Sequence, residues 1–379
     1  MTSQVKVDSI RHTGASADAI TLASDGSCTA ELTNRQGTNL LINGDCRIAQ
    51  RGTSSTSTGY QTLDRWNSYN TSHGVTVTTS QQSLSSSDTG PWAKGFRKYS
   101  RIALSGAGTA AAGTQIWTMQ PLEAQDIANS GWDYTSSSSY LTLSFWVRSS
   151  TAQAFPINLY TKDGTEKSYT TTYTVSSANT WEKKSIKIPG AAGLQFDDNN
   201  GEGLRVYLAN PYHGTDFTSA ATDATWVTYA NNKKYVAVPS TWLTAGASTF
   251  DFTGAQLEVG EFASEFQHKS YAEELRRCQR YFHRTGKNSN AWLIEGYTDN
   301  TGTGGHATYN HPVAMREKPS VSKNGTWGTN NFSSLSFNWR DENATSVRLI
   351  MSSAGNGYAH CSETGSPAVY GSLEFDAEF

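Results

Sequence analysis

Residues 250–282 read FDFTGAQLEVGEFASEFQHKSYAEELRRCQRYF, and the rest of the chain is organised around them. Phe250, Phe252 and Gly254 alternate with Asp251, Thr253 and Ala255, the period-two pattern of a half-buried strand. Gly260 punctuates the strand, and Ser270 with Glu273 three residues on is a capping-box pattern at a helix start. Tyr271, Leu275, Cys278 and Phe282 then share one helical face. Glu273 and Glu274 lie near the start, and Arg276, Arg277 and Arg280 near the end, as the helix dipole favours. The stretch predicts a closing strand, a turn and a short helix, with one β domain before it and a smaller one after.

Composition agrees. A chain of 379 residues is comfortable for two domains, each able to bury a core. Only 17% of residues are charged, 33 are Gly and 11 are Trp, which with many β-branched residues argues for an all-β protein. A net charge of −3 gives no electrostatic footprint for nucleic acid or an anionic membrane. No apolar run reaches the roughly 18 residues that a membrane span needs. MTSQVKVDSIRH lacks the apolar core of a signal peptide, so synthesis in a cytoplasm without signal-directed export is expected. Cys28, Cys46, Cys278 and Cys361 are scattered without metal-ligand spacing, so free thiols are expected.

Taken in order, residues 1–38 form a short β segment in which Asp25-Gly26 marks a hairpin turn. A piece this small cannot bury enough apolar surface alone. It is either a floppy tail or an attachment segment that pairs with copies of itself. Residues 39–52 should enter a β-sandwich through Leu40, Leu41 and Ile42, and Leu63 and Trp66 should be core. SYLTLSFWVRSS, from Ser139, is the clearest strand, with Leu141, Leu143, Phe145 and Val147 on one face. Ile186 and Ile188 point inward from another strand, and Leu204, Val206 and Leu208 form the next. No fixed-period repeat occurs, which argues against a β-helix. After the helix, short strands alternate with Gly, Asn and Ser clusters, and the final strand runs from Val369 to Phe379. The predicted boundaries are 1–38, 39–270, 271–283 for the helix, and 284–379.

Catalytic motifs are missing: there is no G-x-S-x-G, H-E-x-x-H or G-x-x-x-x-G-K. Asp197-Asp198 reads as a solvated hairpin turn, and no glutamate stands where an EF-hand counted from Asp198 requires one. His306 and His311 fall on opposite faces of a regular strand, which does not suit a metal pair.

NLLINGDCRIAQRG, DRW, GAQLEVGEFASEF and ELRRCQRYF occur in this order, and together they resemble a module of phage and prophage tail-fibre proteins. MREKPSV and the terminal FDAEF extend the resemblance. Cys46 stands where that family usually has Met, and Phe282 where it has Tyr. The resemblance implies a carbohydrate-binding-like jelly roll in a homotrimeric, non-enzymatic tail-fibre or receptor-binding protein on the virion. Residues 1–38 would attach it to a tail or neck protein, and the partner would be bacterial surface polysaccharide. The competing readings are a structural head fibre or decoration protein, and a polysaccharide depolymerase or esterase.

Related jelly rolls often hold a structural calcium between the entering and closing strands, which makes Asp45 and Glu258 candidate ligands by resemblance. The plainer reading is that both carboxylates hydrogen-bond within loops. Sugar recognition needs an aromatic face flanked by polar donors and acceptors. The polar, poorly periodic stretch from Pro211 to Thr249 offers Tyr212, Trp226, Tyr229, Tyr235 and Trp242 among amides, so these are the expected contact residues.

Overall fold

The computed structural model describes residues 7–11, 13–14, 20–22, 24, 28–30, 39–285, 292–297, 305–324, 327–330, 332–351, 356–361 and 372–379. The chain is all-β, built on a jelly-roll sandwich of two six-stranded sheets. The first sheet runs Thr225–Thr228, Lys167–Thr174, Ala154–Thr161, Glu202–His213, Gln115–Glu123, Asn67–Thr71. The second runs Glu182–Pro189, Tyr140–Ser149, Thr249–Val259, Lys98–Leu104, Val77–Ser83, Ser54–Ser55. Alternation in sequence becomes two faces in space. Leu141, Leu143, Phe145 and Val147 meet Phe155, Ile157, Leu159, Leu204, Val206 and Leu208 across the sandwich, all fully buried. Each such side chain contributes about 1.5–3 kcal/mol through burial. Leu63, Trp66, Ile186 and Ile188 join the same core, as the sequence indicates.

The Thr249–Val259 strand is central to the second sheet and receives the entering chain. Leu40 N–H donates to the Leu257 carbonyl at 2.9 Å, and Asn39 bonds Leu257 N–H and the Ala255 carbonyl, both at 3.0 Å. Residues 39–52 enter the sandwich as irregular but packed chain, with Leu41 and Ile42 buried. Asn43 and Cys46 have φ near +58° and +59°, which breaks strand geometry. Side-chain amides replace the missing ladder: Gln120 bonds both backbone groups of Ile42 at 2.7 Å, and Asn43 Nδ2 reaches the Ile48 carbonyl at 2.8 Å and the Asp64 carbonyl at 3.0 Å.

The helix spans Tyr271–Gln279, and Ser270 caps it by accepting Glu273 N–H at 3.2 Å. Its buried face agrees with the expected one at Cys278 and Leu275, which pack with Ile42 and Ile48, and differs at the two ends. Tyr271 is 57% exposed, and Phe282 belongs to the next strand, Phe282–Arg284. Glu274 is buried as well, its carboxylate turned inward to accept Asn43 N–H, and Tyr281 follows Cys278 into the same cluster. Cys46 and Cys278 are buried free thiols.

Asp197 and Asp198 do not sit in a hairpin. The strand before them, Glu182–Pro189, lies in the second sheet, and the strand after them, Glu202–His213, lies in the first. They form an exposed crossing loop held by Asp163, which accepts Asp197 N–H at 3.1 Å, and by Asn129, which donates to Asp198 at 2.8 Å.

Beyond the helix lie three small antiparallel sheets, the first made of Phe282–Arg284, Ser372–Asp376 and Ser320–Asn324. Leu373, Phe375 and Ala377 alternate into a core with Met315 and Val347, and residues 369–371 of the expected final strand lie outside the described residues. The tail is clasped to the sandwich side, where Arg51 meets Asp376 at 3.0 Å and Arg65 pairs with Glu378, and within its own region Arg316 donates to the Ala377 carbonyl at 2.7 Å. Near the start, Ser9–Ile10, Ile20–Leu22 and Cys28–Ala30 form a three-stranded sheet with Val7, Ile10 and Leu22 exposed. The Asp25-Gly26 turn falls outside the described residues. No described helix is long and apolar enough to cross a membrane.

Candidate functional site

The outer face of the first sheet carries an aromatic platform. Tyr69 lies directly across from Trp117, Met119 from Tyr207, and Tyr160 from Arg205. Residues so placed share a face, and their rings touch. Tyr69 stacks on Trp117 with centroids 5.2 Å apart, and Trp117 meets Tyr207 edge-on at 5.1 Å. Tyr160 stacks at 4.2 Å on Tyr229, which reaches over from the loop after Thr225–Thr228. Tyr69, Trp117 and Tyr229 are half-buried, so part of each ring faces solvent.

Charged groups border the rings. Arg205 forks onto Glu202 at 2.6 and 2.8 Å. Glu166 accepts from Tyr160 and Lys162. Burial pushes Glu166 up, but those two hydrogen bonds outweigh it and hold the carboxyl below its usual range. Packed against the buried Tyr207, Lys234 Nζ lies 4.3 Å from that ring. Burial, with Arg205 nearby, pulls its pKa down to about 7. His213 stacks on Tyr235 at 3.5 Å, and neither imidazole nitrogen has a protein partner. Burial first, then Lys234, pushes this histidine well below its ordinary pKa.

The five aromatics expected from the 211–249 stretch separate. Tyr229 joins the platform, and Tyr235 forms its fully buried underside. Trp242 is 0% exposed and Tyr212 9%, and both belong to the sandwich core, which corrects their expected surface position. Trp242 is drawn inward because its indole N–H bonds the Thr249 carbonyl at 2.9 Å and its backbone N–H bonds Gln153 at 2.9 Å. Trp226 is half-buried on an edge strand, and its N–H donates to the Pro189 carbonyl at 2.7 Å. Tyr69, Trp117, Tyr160 and Tyr207 were missing from the expectation, which looked only to the 211–249 stretch. The usable signal was QIWTMQ, in which Trp117 and Met119 alternate with Ile116 and Thr118.

Asp45 and Glu258 are not drawn to one centre. Asp45 pairs with Arg47 at 2.8 Å, whereas Glu258 accepts from Ser264 N–H at 2.8 Å and Ser264 O–H at 2.6 Å. Each carboxylate thus has a protein donor of its own, although Asp45 Oδ1 is buried without a partner, and among the described residues no group of three or more His, Cys, Asp or Glu could hold a metal. His311 pairs instead through its Nδ1 with His283 Nε2 at 2.9 Å, while Thr345 contacts His311 Nε2 at 3.2 Å. The His306 side chain lies outside the described residues.

No family model and no curated protein matches the sequence. Among solved structures, the chain is similar to the enzymatically active domain of tailspike protein 4 of bacteriophage CBA120, with 9% identity and TM-score 0.30 over 58% of this chain and 21% of that one. The chain thus spans about a fifth of that tailspike's length. It is also similar to a putative sugar binding protein from Bacteroides thetaiotaomicron VPI-5482, with 8% identity and TM-score 0.30 over 59% of this chain and all of that one. A CBM4 structure aligns at 13% identity and TM-score 0.28 over 57% of this chain and 97% of that one.

Proposed function

We propose that this protein is a non-enzymatic adhesin of a phage tail fibre that holds bacterial surface glycan on the outer face of its first sheet. The observation that carries the reading is the half-buried Tyr69–Trp117 stack, backed by the buried Tyr207 ring and bordered by Gln115, whose side-chain oxygen lies 3.4 Å from the Trp117 indole nitrogen. A pyranose presents a C–H face to such rings and hydroxyls to such borders. The phage context rests on the sequence motifs, not on this geometry. Homotrimerisation through residues 1–38, and attachment there to a tail or neck protein, belong to the same proposal. Exposed Val7, Ile10 and Leu22 on a three-stranded sheet favour burial against further copies.

The test is incubation of the purified protein with a panel of bacterial lipopolysaccharides and capsules. Retention of polymer without shortening or release of acyl groups is the expected result. Fragments would show a depolymerase or esterase, and neither retention nor cleavage would leave a structural virion component.

A further inference from the structure

A cavity of about 180 Å³ opens on the outer face of the second sheet, the sheet opposite the tyrosine–tryptophan platform. Its floor follows from strand register. Lys183 lies directly across from Trp146 on one side, and Thr253 lies across from it on the other. Cβ atoms of such neighbours stand about 4.5–5.5 Å apart. An exposed ammonium therefore sits beside a half-buried indole.

The walls are rings held in place. Gly254 has φ +64°, and a β-carbon there would lie 2.6 Å from Phe96, so its absence lets that ring descend onto the strand. Phe96 meets Phe266 edge-on at 4.9 Å and His268 at 4.9 Å. His268 Nε2 is tied to the Lys94 carbonyl at 2.8 Å, which braces the two loops to each other. Lys94 and Glu265 pair across the mouth at 3.4 Å and offset each other. Lys183 makes no ion pair among the described residues, so the cavity keeps one uncompensated positive charge.

We propose that this cavity binds a single pyranose ring carrying an anionic group, either carboxylate or phosphate. The ring stacks on Trp146 between the phenylalanine walls, and the anion meets Lys183. Drug-sized ligands occupy about 300–1,000 Å³, so a space this small takes one ring and not a run of several. This is a second site, and it stands whether or not the platform binds anything.

The test uses full-length protein with ¹⁵N-labelled indoles, titrated with glucuronate, glucose 6-phosphate and neutral glucose. Trp146 is assigned by its missing resonance in Trp146→Phe. The Trp146 signal is expected to shift with at least one anionic sugar, and glucose is expected to need at least about tenfold higher concentration. Whichever anion saturates first identifies the natural group. Lys183→Gln, at an exposed position, should weaken the anionic sugar about fivefold and leave the glucose response unchanged. Trp117→Ala should leave the whole titration unchanged, which separates this site from the platform. Equal response to glucose, unaltered titration of Lys183→Gln, or no Trp146 shift with either anion would overturn the proposal.

Discussion

Gly44 and Ala255 are in backbone contact: Ala255 N–H donates to the Gly44 carbonyl at 2.9 Å, and a β-carbon on Gly44 would stand 2.0 Å from the Ala255 oxygen. The entering chain can lie against the closing strand only because this position lacks a side chain. Gly44→Ala should therefore force the two segments apart. Overpacking of this kind costs about 1–3 kcal/mol, occasionally more. A thermal melt should show a clear loss for Gly44→Ala and little change for Gly106→Ala, where nothing lies within 4 Å.

Trp242 gives a contrasting prediction. It is fully buried and has no path to a ligand, so Trp242→Ala should cost about 3–5 kcal/mol of stability. Glycan affinity per folded molecule should be unchanged. Denaturant titration together with binding measured on the folded fraction checks both statements.

The His283–His311 pair predicts an acid-sensitive C-terminal region. Burial, then His311, lowers the pKa of His283 to about 3, and burial also lowers that of His311. In the unfolded chain a histidine titrates near 6.5. The folded state thus binds protons less readily, and its stabilisation is present above about pH 6.5 and is lost as pH falls toward 3. The melting temperature should drop over that window. His283→Phe should flatten the drop, measured as the difference between the two pH profiles; parallel profiles would remove the pair from the explanation.

Deletion of residues 1–38 should leave the sandwich melting as before, since docking onto the closing strand begins at Asn39. The same deletion should convert a trimer to a monomer by mass measurement in solution. A full-length chain that is already monomeric would contradict the assembly.

Much of the fold was legible because strong local patterns meet no competition. The Tyr140–Ser149 strand places its four apolar residues inward as alternation requires, and Ser270 caps its helix as the spacing to Glu273 requires. What was hidden depends on distant partners. Leu40, Leu41 and Ile42 read as an entering apolar run, but amides from Asn39, Asn43 and Gln120, two of them distant in sequence from the groups they hold across the sandwich, set the backbone shape there. The helix also buries Glu274, whose partner Asn43 N–H lies more than two hundred residues away in sequence. The candidate site was half legible: Tyr229 was found, but polar surroundings concealed that Tyr235 and Trp242 point inward. Trp117 was passed over because a strand tryptophan reads as core until the sheet shows which face it occupies.

The most direct measurement is the affinity of Trp117→Ala for a surface polysaccharide retained by the parent protein, read as equilibrium binding with thermal stability measured in parallel. Loss of one stacking contact, on the order of 1 kcal/mol, predicts a fall of roughly fivefold to tenfold per site, larger when several copies act together. Tyr69→Ala should fall in step with it. Unchanged affinity in both folded variants would contradict the assignment of the platform as the glycan-binding face.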